Sequence, residues 1–255
     1  MTYTPSTQHT SVPAPRGVPD RHINAVRQAT DVLYEVVEEL DQAAMRGQSL
    51  LPGWTRGHVV THLARNADAL VNLLTWARTG VEHEAYASRA DRDADIEEGA
   101  RRILQVIKAD LDSACVRFEN ACREMPAHSW RSEVTAPKGA TIPATQVPLF
   151  RLREVWIHLI DLNYGVGFED LPADFVEEFL DDAVKQFEGR VDPFGIEAGL
   201  PDGTQRVWTV NGPASRSSVS GSASAVLGWL TGRTDGAGLR GELPELPDWI
   251  LVSNR

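Results

Sequence analysis

One stretch of the chain carries four polar side chains on a helix that is otherwise apolar. It covers residues 149–164 and reads LFRLREVWIHLIDLNY. At about 3.6 residues per turn, steps of three and four residues place its polar members in one polar seam along the helix: Arg151, Glu154, His158 and Asp161. A helix that is apolar nearly all the way round is normally buried. Because burying a carboxylate or an imidazole is costly unless something pairs with it, the polar seam requires a partner.

The partner that these residue types favour is a metal ion. Glu154 and His158 are one turn apart, which lets both side chains ligate the same ion. The third ligand that we predict is His62, in the segment GWTRGHVVTHLARNADAL at residues 53–70. Three ligands of this kind, one of them remote in sequence, are typical of catalytic zinc sites, where water or substrate fills the fourth position. We therefore predict a metal site with an open position for chemistry.

The residues alone also leave a purely structural interpretation open. His158 could be a hydrogen-bonded core histidine, and Glu154 could pair with Arg151 or Arg153. Patterns typical of other chemistries do not occur in the sequence. It contains neither a GxGxxG nor a P-loop pattern, and GSAS at residues 221–224 lacks the context of a nucleophile elbow.

A predicted helix that Thr55 caps and that reaches Arg78 positions His62. On a helical wheel His62 lies at the edge of the apolar face, roughly 100° from its centre, whereas His58 lies roughly 150° away. His58 and His62 could ligate one ion together, but the wheel favours His62 as the histidine that faces inward.

Three further helices complete a predicted bundle around this site. One runs from about Arg21 to Arg46, one from about Asp93 to Glu124, and the third carries the polar seam. Their apolar residues recur at bundle spacing, and the acidic run at residues 91–98 is interpreted as a solvated helix start. With a long crossover at residues 126–147, the pattern predicts a four-helix bundle over residues 20–166. A mobile tail, rich in Pro, Ser and Thr, is predicted at residues 1–19.

Residues 167–255 have a different character and predict a smaller α+β domain. A helix is expected from near Leu171 to about Phe187, residues 205–211 alternate like a strand, and residues 217–220 could be its hairpin partner. A further helix, capped at residue 222, ends at Leu230. Arg233 follows that end, where the helix dipole alone favours a cation.

The composition limits the partners of the chain. Its 255 residues include 25 Lys and Arg against 36 Asp and Glu, a formal net charge of −11. That charge leaves no basic footprint for nucleic acid or anionic lipid, so we expect small-molecule partners. No segment is apolar enough to span a bilayer. Cys115 and Cys122 are too far apart on one predicted helix to bridge, so we expect core thiols in a cytoplasmic protein.

The motifs together resemble a known family, the mycothiol-dependent maleylpyruvate isomerases, within the wider DinB-like metal-binding bundles. They are GWTRGHVVTHLARNADAL at 53–70, TWARTG at 75–80, REVWIHLIDL at 153–162 and VSGSASAVLGWLTGR at 219–233. Their order and spacing cover most of the chain except the tail. The resemblance implies a mainly α protein with a DinB-like four-helix bundle and a C-terminal α+β domain similar to sterol-carrier-like folds. We expect a monomer.

The resemblance also implies site residues and a reaction. His62, Glu154 and His158 match the family's zinc ligands, and Arg233 matches an arginine that the family uses for activity. Zn²⁺ and mycothiol are then the expected cofactors, and maleylpyruvate the substrate. A zinc-bound mycothiol thiolate would add to the cis double bond, the bond would rotate, and the thiol would leave to give fumarylpyruvate. Arg233 would hold a substrate carboxylate or the developing enolate.

Two other functions fit the same residues. One is a mycothiol S-transferase that conjugates other electrophiles, whose site would look the same. The other is a non-catalytic stress or regulatory bundle protein, for which the loss of a metal ligand would be the sign. All three predicted ligands are present in this sequence.

Overall fold

Four long helices form the bundle that the sequence predicts. The structure is a computed structural model that describes residues 19–136, 139–212 and 218–249, so nearly all of the predicted tail lies outside the described residues. The bundle helices are α1 (Asp20–Glu39), α3 (Arg56–Thr79), α5 (Leu104–Glu124) and α6 (Val147–Asp161). Their apolar faces meet in one buried core, which continues into the C-terminal part of the chain. The fold is mainly helical with a small sheet domain, as expected.

The first predicted helix is in fact two helices. Leu40 takes an extended backbone conformation, which ends α1 after Glu39. A short α2 (Gln42–Met45) then begins, and the side chain of Asp41 caps it by accepting a hydrogen bond from the Ala44 N–H at 2.7 Å. The prediction of one helix to Arg46 was wrong because residue 41 provides a new helix start.

The long helix predicted from Asp93 is also divided, into α4 (Arg89–Ala100) and α5. Ile103 has an extended backbone and is 58% exposed, so it belongs to the break and not to the apolar face. A Cβ atom on Gly99 would lie 2.4 Å from Cγ2 of Thr61, which shows how closely α4 packs on α3. The chain must therefore turn after α4 before α5 can run along α3. Apolar spacing alone does not reveal that turn.

The crossover before α6 contains a small hairpin that the sequence analysis did not predict. Strands β1 (Glu133–Thr135) and β2 (Thr141–Pro143) pair antiparallel, with Val134 opposite Ile142. Helix α6 follows, with a proline in its first turn, where the missing N–H costs no hydrogen bond. The hairpin thus delivers the chain to the helix that carries the polar seam.

The described residues of the C-terminal domain form two α-helices and a three-stranded sheet. Its elements are α7 (Ala173–Lys185), β3 (Phe194–Gly199), β4 (Gln205–Val210), β5 (Ser218–Ser222) and α8 (Ala223–Leu230). The strand order is β4-β3-β5, with β4 antiparallel and β5 parallel to β3. The predicted hairpin between residues 205–211 and 217–220 was therefore wrong, because the central strand β3 separates the two. Strand β3 is largely buried and lacks the alternation that the analysis required.

Polar contacts between charged side chains join the bundle to the C-terminal domain. Arg153 on α6 pairs with Asp182 on α7, and Arg21 and His22 on α1 both pair with Glu178 on α7. None of the helices within the described ranges is long and apolar enough to cross a membrane. The boundary predicted near residue 166 stays a prediction.

Removing the carboxylate of Asp182 should loosen the domain contact measurably. The side chain of Arg153 is only 11% exposed, so Asp182→Ala leaves a largely buried charge unpaired. We expect the free energy of unfolding to fall by about 1–3 kcal/mol in denaturant titrations. Glu177→Ala is the matched control, because its partner Arg206 is well exposed and such pairs contribute less than about 1 kcal/mol. Equal losses in both variants would contradict the interpretation.

Candidate metal centre

Helix α6 buries the whole polar seam. Arg151, Glu154, His158 and Asp161 are all buried, along with the apolar residues between them. The helix forms because its remaining residues are large and apolar, and it lies in the core because they cover most of its circumference. The four polar side chains must therefore find partners inside the protein.

The three predicted ligands come together in one buried cluster, which we call the His–Glu–His cluster (His62, Glu154 and His158). One potential ligand atom from each residue lies within 4.8 Å of the other two. Oε2 of Glu154 is 3.1 Å from Nε2 of His62 and 3.5 Å from Nε2 of His158. Two imidazoles and a carboxylate that converge in this way form a donor set suited to a divalent metal such as zinc.

One atom of the cluster lacks a partner. Nε2 of His158 is buried and makes no hydrogen bond to any described residue. Buried polar atoms are rarely left unsatisfied, and such an atom requires an explanation. A metal bound by the cluster would provide one, because that nitrogen would then donate its lone pair to the metal. The residues present therefore fit a metal ion.

The electrostatics of the cluster favour the protonation states that ligands need. Burial and the neighbouring His158 lower the pKa of His62 to about 4, so this imidazole is neutral at pH 7. Burial alone would raise the pKa of Glu154, but the attraction of the nearby His158 and His62 rings holds it well below its usual value. For His158, burial opposes the charged form, yet the hydrogen bond with Asp161 and the nearby carboxylate of Glu154 raise its pKa. At neutral pH the cluster thus offers an ionised carboxylate and at least one neutral imidazole.

The structural interpretation of Glu154 as a partner of a nearby arginine was wrong. Arg151 donates to the Leu63 carbonyl at 2.7 Å and to Oδ1 of Asn66 at 2.8 Å, on the face toward α3. Arg153 points to the other domain, where it pairs with Asp182. The carboxylate of Glu154 is left to the two histidines.

His58 does not join the cluster, as the helical wheel predicts. Its Nδ1 accepts a hydrogen bond from the Thr55 N–H at 3.1 Å, and its Nε2 is 3.1 Å from Oε2 of Glu97. His58 therefore hydrogen-bonds to the N-terminus of α3, whereas His62, one turn later, is buried against α6.

Arg233 lies behind His158, on the side away from Glu154. Its Nε and Nη2 donate to the two carboxylate oxygens of Asp161 at 2.9 and 2.8 Å, and its Nη1 donates to the Thr231 carbonyl at 2.7 Å. Oδ2 of Asp161 in turn accepts a hydrogen bond from Nδ1 of His158 at 2.8 Å. Arg233 thus reaches the cluster through one other side chain, that of Asp161. Its own side chain is 2% exposed, which leaves a substrate little access to it.

Sequence analysis did not identify Arg92, which contacts His62, or Tyr86, whose ring Arg92 packs over. Nη2 of Arg92, on α4, is 3.2 Å from Nδ1 of His62, and its guanidinium carbon is 5.8 Å from the centre of the Tyr86 ring. Burial raises the pKa of Tyr86 to about 12, so it keeps its proton beside the cluster. The acidic run at residues 91–98 was interpreted as solvated, and most of it is exposed, but Arg92 turns inward. No periodicity marks that residue, because the helix around it has few apolar positions.

Comparisons with known proteins match both parts of the chain. The family model described as the mycothiol maleylpyruvate isomerase N-terminal domain matches residues 26–163, and the one described as the MDMPI C-terminal domain matches residues 170–248. Two crystal structures are similar to this fold: one of the mycothiol-dependent maleylpyruvate isomerase and one of its histidine-to-alanine mutant. Each is 29% identical to this chain, with a TM-score of 0.82, over 91% of this chain and 97% of the other. A search of curated proteins gives no match.

Proposed function

Because the chain belongs to the mycothiol-dependent maleylpyruvate isomerase family, we propose that it isomerises maleylpyruvate to fumarylpyruvate with mycothiol as the thiol cofactor. The observation that carries the proposal is the buried His–Glu–His cluster, with the unpartnered Nε2 of His158 inside it. The reaction neither oxidises nor reduces the substrate. A thiolate adds to one carbon of the cis double bond, the resulting single bond rotates, and the thiolate leaves as the trans double bond forms.

We propose that His62, Glu154 and His158 hold a zinc ion. Bound there, the ion would lower the pKa of a thiol that ligates it, and so supply a thiolate at neutral pH. Glu154 would bring the negative charge that partly neutralises the centre, and His62 would bind as a neutral imidazole, in keeping with its lowered pKa.

Asp161 and Arg233 are proposed to position His158. An Nδ1–H that donates to Asp161 leaves the lone pair of His158 on Nε2, the atom that faces Glu154. Arg233 fixes Asp161 by donating to both of its oxygens. We therefore keep Arg233 as a residue needed for activity. The contacts favour a positioning role for it over the substrate contact that the family resemblance implied.

The direct test is the rate at which the purified protein converts maleylpyruvate to fumarylpyruvate. We expect turnover with both zinc and mycothiol, a fall to the background rate when either is absent, and recovery when zinc is returned after chelation. Bound zinc without isomerisation would overturn the isomerase proposal, and the mycothiol S-transferase would then be tested with other electrophiles. Isomerisation that survives chelation would overturn the metal's role.

A further inference from the structure

Arg92 brings a second positive charge to the centre, from the first turn of α4. Its Nη2 is 3.2 Å from Nδ1 of His62, and it packs over the Tyr86 ring. Its carboxylate partner is Asp93, which accepts from Nη1 at 2.6 Å and is itself 45% exposed. Ion pairs with exposed carboxylates are weak. The charge of Arg92 therefore remains largely available to the centre.

The two arginines of the centre differ in their access to small molecules. Arg233 is buried behind His158, and it donates hydrogen bonds to both carboxylate oxygens of Asp161. Arg92 is 16% exposed, and Tyr86 and Trp54, which lie beside it and beside His62, are only half-buried. Of these two arginines, Arg92 is therefore the one whose side chain solvent reaches. On a chain with a net charge of −11, an anion needs a local cation of this kind.

The contact between Arg92 and His62 depends on which nitrogen of His62 carries the proton. A neutral imidazole has one N–H and one lone pair. Here Nδ1 of His62 faces an N–H of Arg92, which assigns the lone pair to Nδ1 and the proton to Nε2, beside Glu154. Ligation of a metal through Nε2 would move the proton to Nδ1, where it would meet the donor. Ligation through Nδ1 would use the lone pair that Arg92 needs. Both cases free the guanidinium.

We propose that Arg92 is the carboxylate-binding residue of the centre, and that metal loading releases it from His62 to take a carboxylate of a dicarboxylate substrate. The assignment rests on the proposed function for the identity of the substrate. A guanidinium that loses one hydrogen-bond acceptor can bind a carboxylate with two parallel N–H groups. Because binding free energies are reciprocal, the metal should tighten anion binding at Arg92, and the anion should help to retain the metal.

The test is a calorimetric titration with succinate, a saturated dicarboxylate to which no thiol can add. Wild type and Arg92→Gln are compared, each loaded with zinc and each free of metal. In the zinc-loaded proteins we expect Arg92→Gln to weaken succinate binding by about 10- to 100-fold. In the metal-free proteins, where His62 holds the arginine, the loss should stay below about threefold. Direct binding of succinate to zinc occurs in both proteins and cancels in the ratio.

Arg89→Gln is the matched control, because it removes the same charge three residues earlier on α4. It should change succinate binding by less than about threefold, since exposed charges are screened. The proposal would be overturned if Arg89→Gln weakened succinate binding as much as Arg92→Gln does, or if Arg92→Gln weakened it equally with and without zinc. It would also be overturned if Arg92→Gln left succinate binding unchanged or lost its zinc. If wild type fails to isomerise maleylpyruvate but the succinate results are as expected, the proposed function fails and the anion site stands.

Discussion

His158→Ala is expected to lose the metal and the isomerase activity together. Among the described residues, no group hydrogen-bonds to Nε2 of His158, the nitrogen that faces Glu154, so this atom is available to ligate a metal. Alanine removes that nitrogen and leaves two ligands, too few for a stable catalytic zinc site. The loss of zinc affinity should exceed the roughly 10- to 100-fold that losing an outer hydrogen-bond partner of a ligand costs. Metal content after dialysis, measured beside the turnover rate, checks both effects.

The chain offers a matched control on α3. His58 lies one turn before His62 on the same helix, but it contacts Thr55 and Glu97 instead of the cluster. His58→Ala should therefore keep the wild-type metal content and turnover. It should lose the hydrogen bond at the helix start, worth about 0.5–2 kcal/mol of stability, and a weak contact with the exposed Glu97. A zinc-replete and fully active His158→Ala protein would refute the metal site as assigned.

The sequence was most informative where one helix carried the whole signal. The spacing of Glu154 and His158 predicted that both side chains can ligate one ion. The helical wheel favoured His62 over His58 as the histidine facing inward, and His62 does face inward, toward Glu154 and His158. Both inferences depend only on the geometry of single helices, which is regular. They do not depend on where the helices lie in space.

Features that depend on contacts between distant parts of the chain could not be predicted from the sequence. Arg233 meets Asp161 across 72 residues of chain, and neither the charge at a helix end nor the polar seam indicates that pairing. Arg92 turns toward His62 because close packing of α4 on α3 brings it there, while its own segment reads as a solvated run. The division between α4 and α5 and the central position of β3 have the same origin. Each follows from how elements pack together.

The pair formed by Arg233 and Asp161 also links the two parts of the fold. Arg233 follows α8 in the C-terminal domain, and Asp161 ends α6 in the bundle. The Trp249 ring lies 5.2 Å from the guanidinium carbon and adds a further contact from the C-terminal segment. The orientation of a metal ligand in one domain thus depends on an arginine supplied by the other. Correct docking of the domains is then a condition for a well-ordered centre.

Asp161→Asn and Arg233→Ala are each expected to destabilise the protein and to weaken metal binding. Each variant leaves the other member of a buried ion pair without its partner, which costs about 3–5 kcal/mol of unfolding free energy. Zinc affinity should fall by about 10- to 100-fold, because His158 loses a fixed acceptor for its Nδ1–H. The double variant Asp161→Asn/Arg233→Met separates the two effects. Without a buried charge it should recover much of the stability, yet its zinc affinity should stay low because the carboxylate is still missing.

Denaturant unfolding of the metal-free proteins measures the free energy of unfolding, and zinc titration of the folded proteins measures the zinc affinity. The visible spectrum of bound Co²⁺ reports the geometry of the ligands. Arg233→Lys keeps the charge but lacks the two parallel N–H groups, so we expect it to recover stability in part and the Co²⁺ spectrum incompletely. The alternative is that Arg233 binds the substrate, as the family resemblance implied. If Arg233→Ala keeps its stability, zinc affinity and Co²⁺ spectrum while KM for maleylpyruvate rises, Arg233 contacts the substrate and does not position His158.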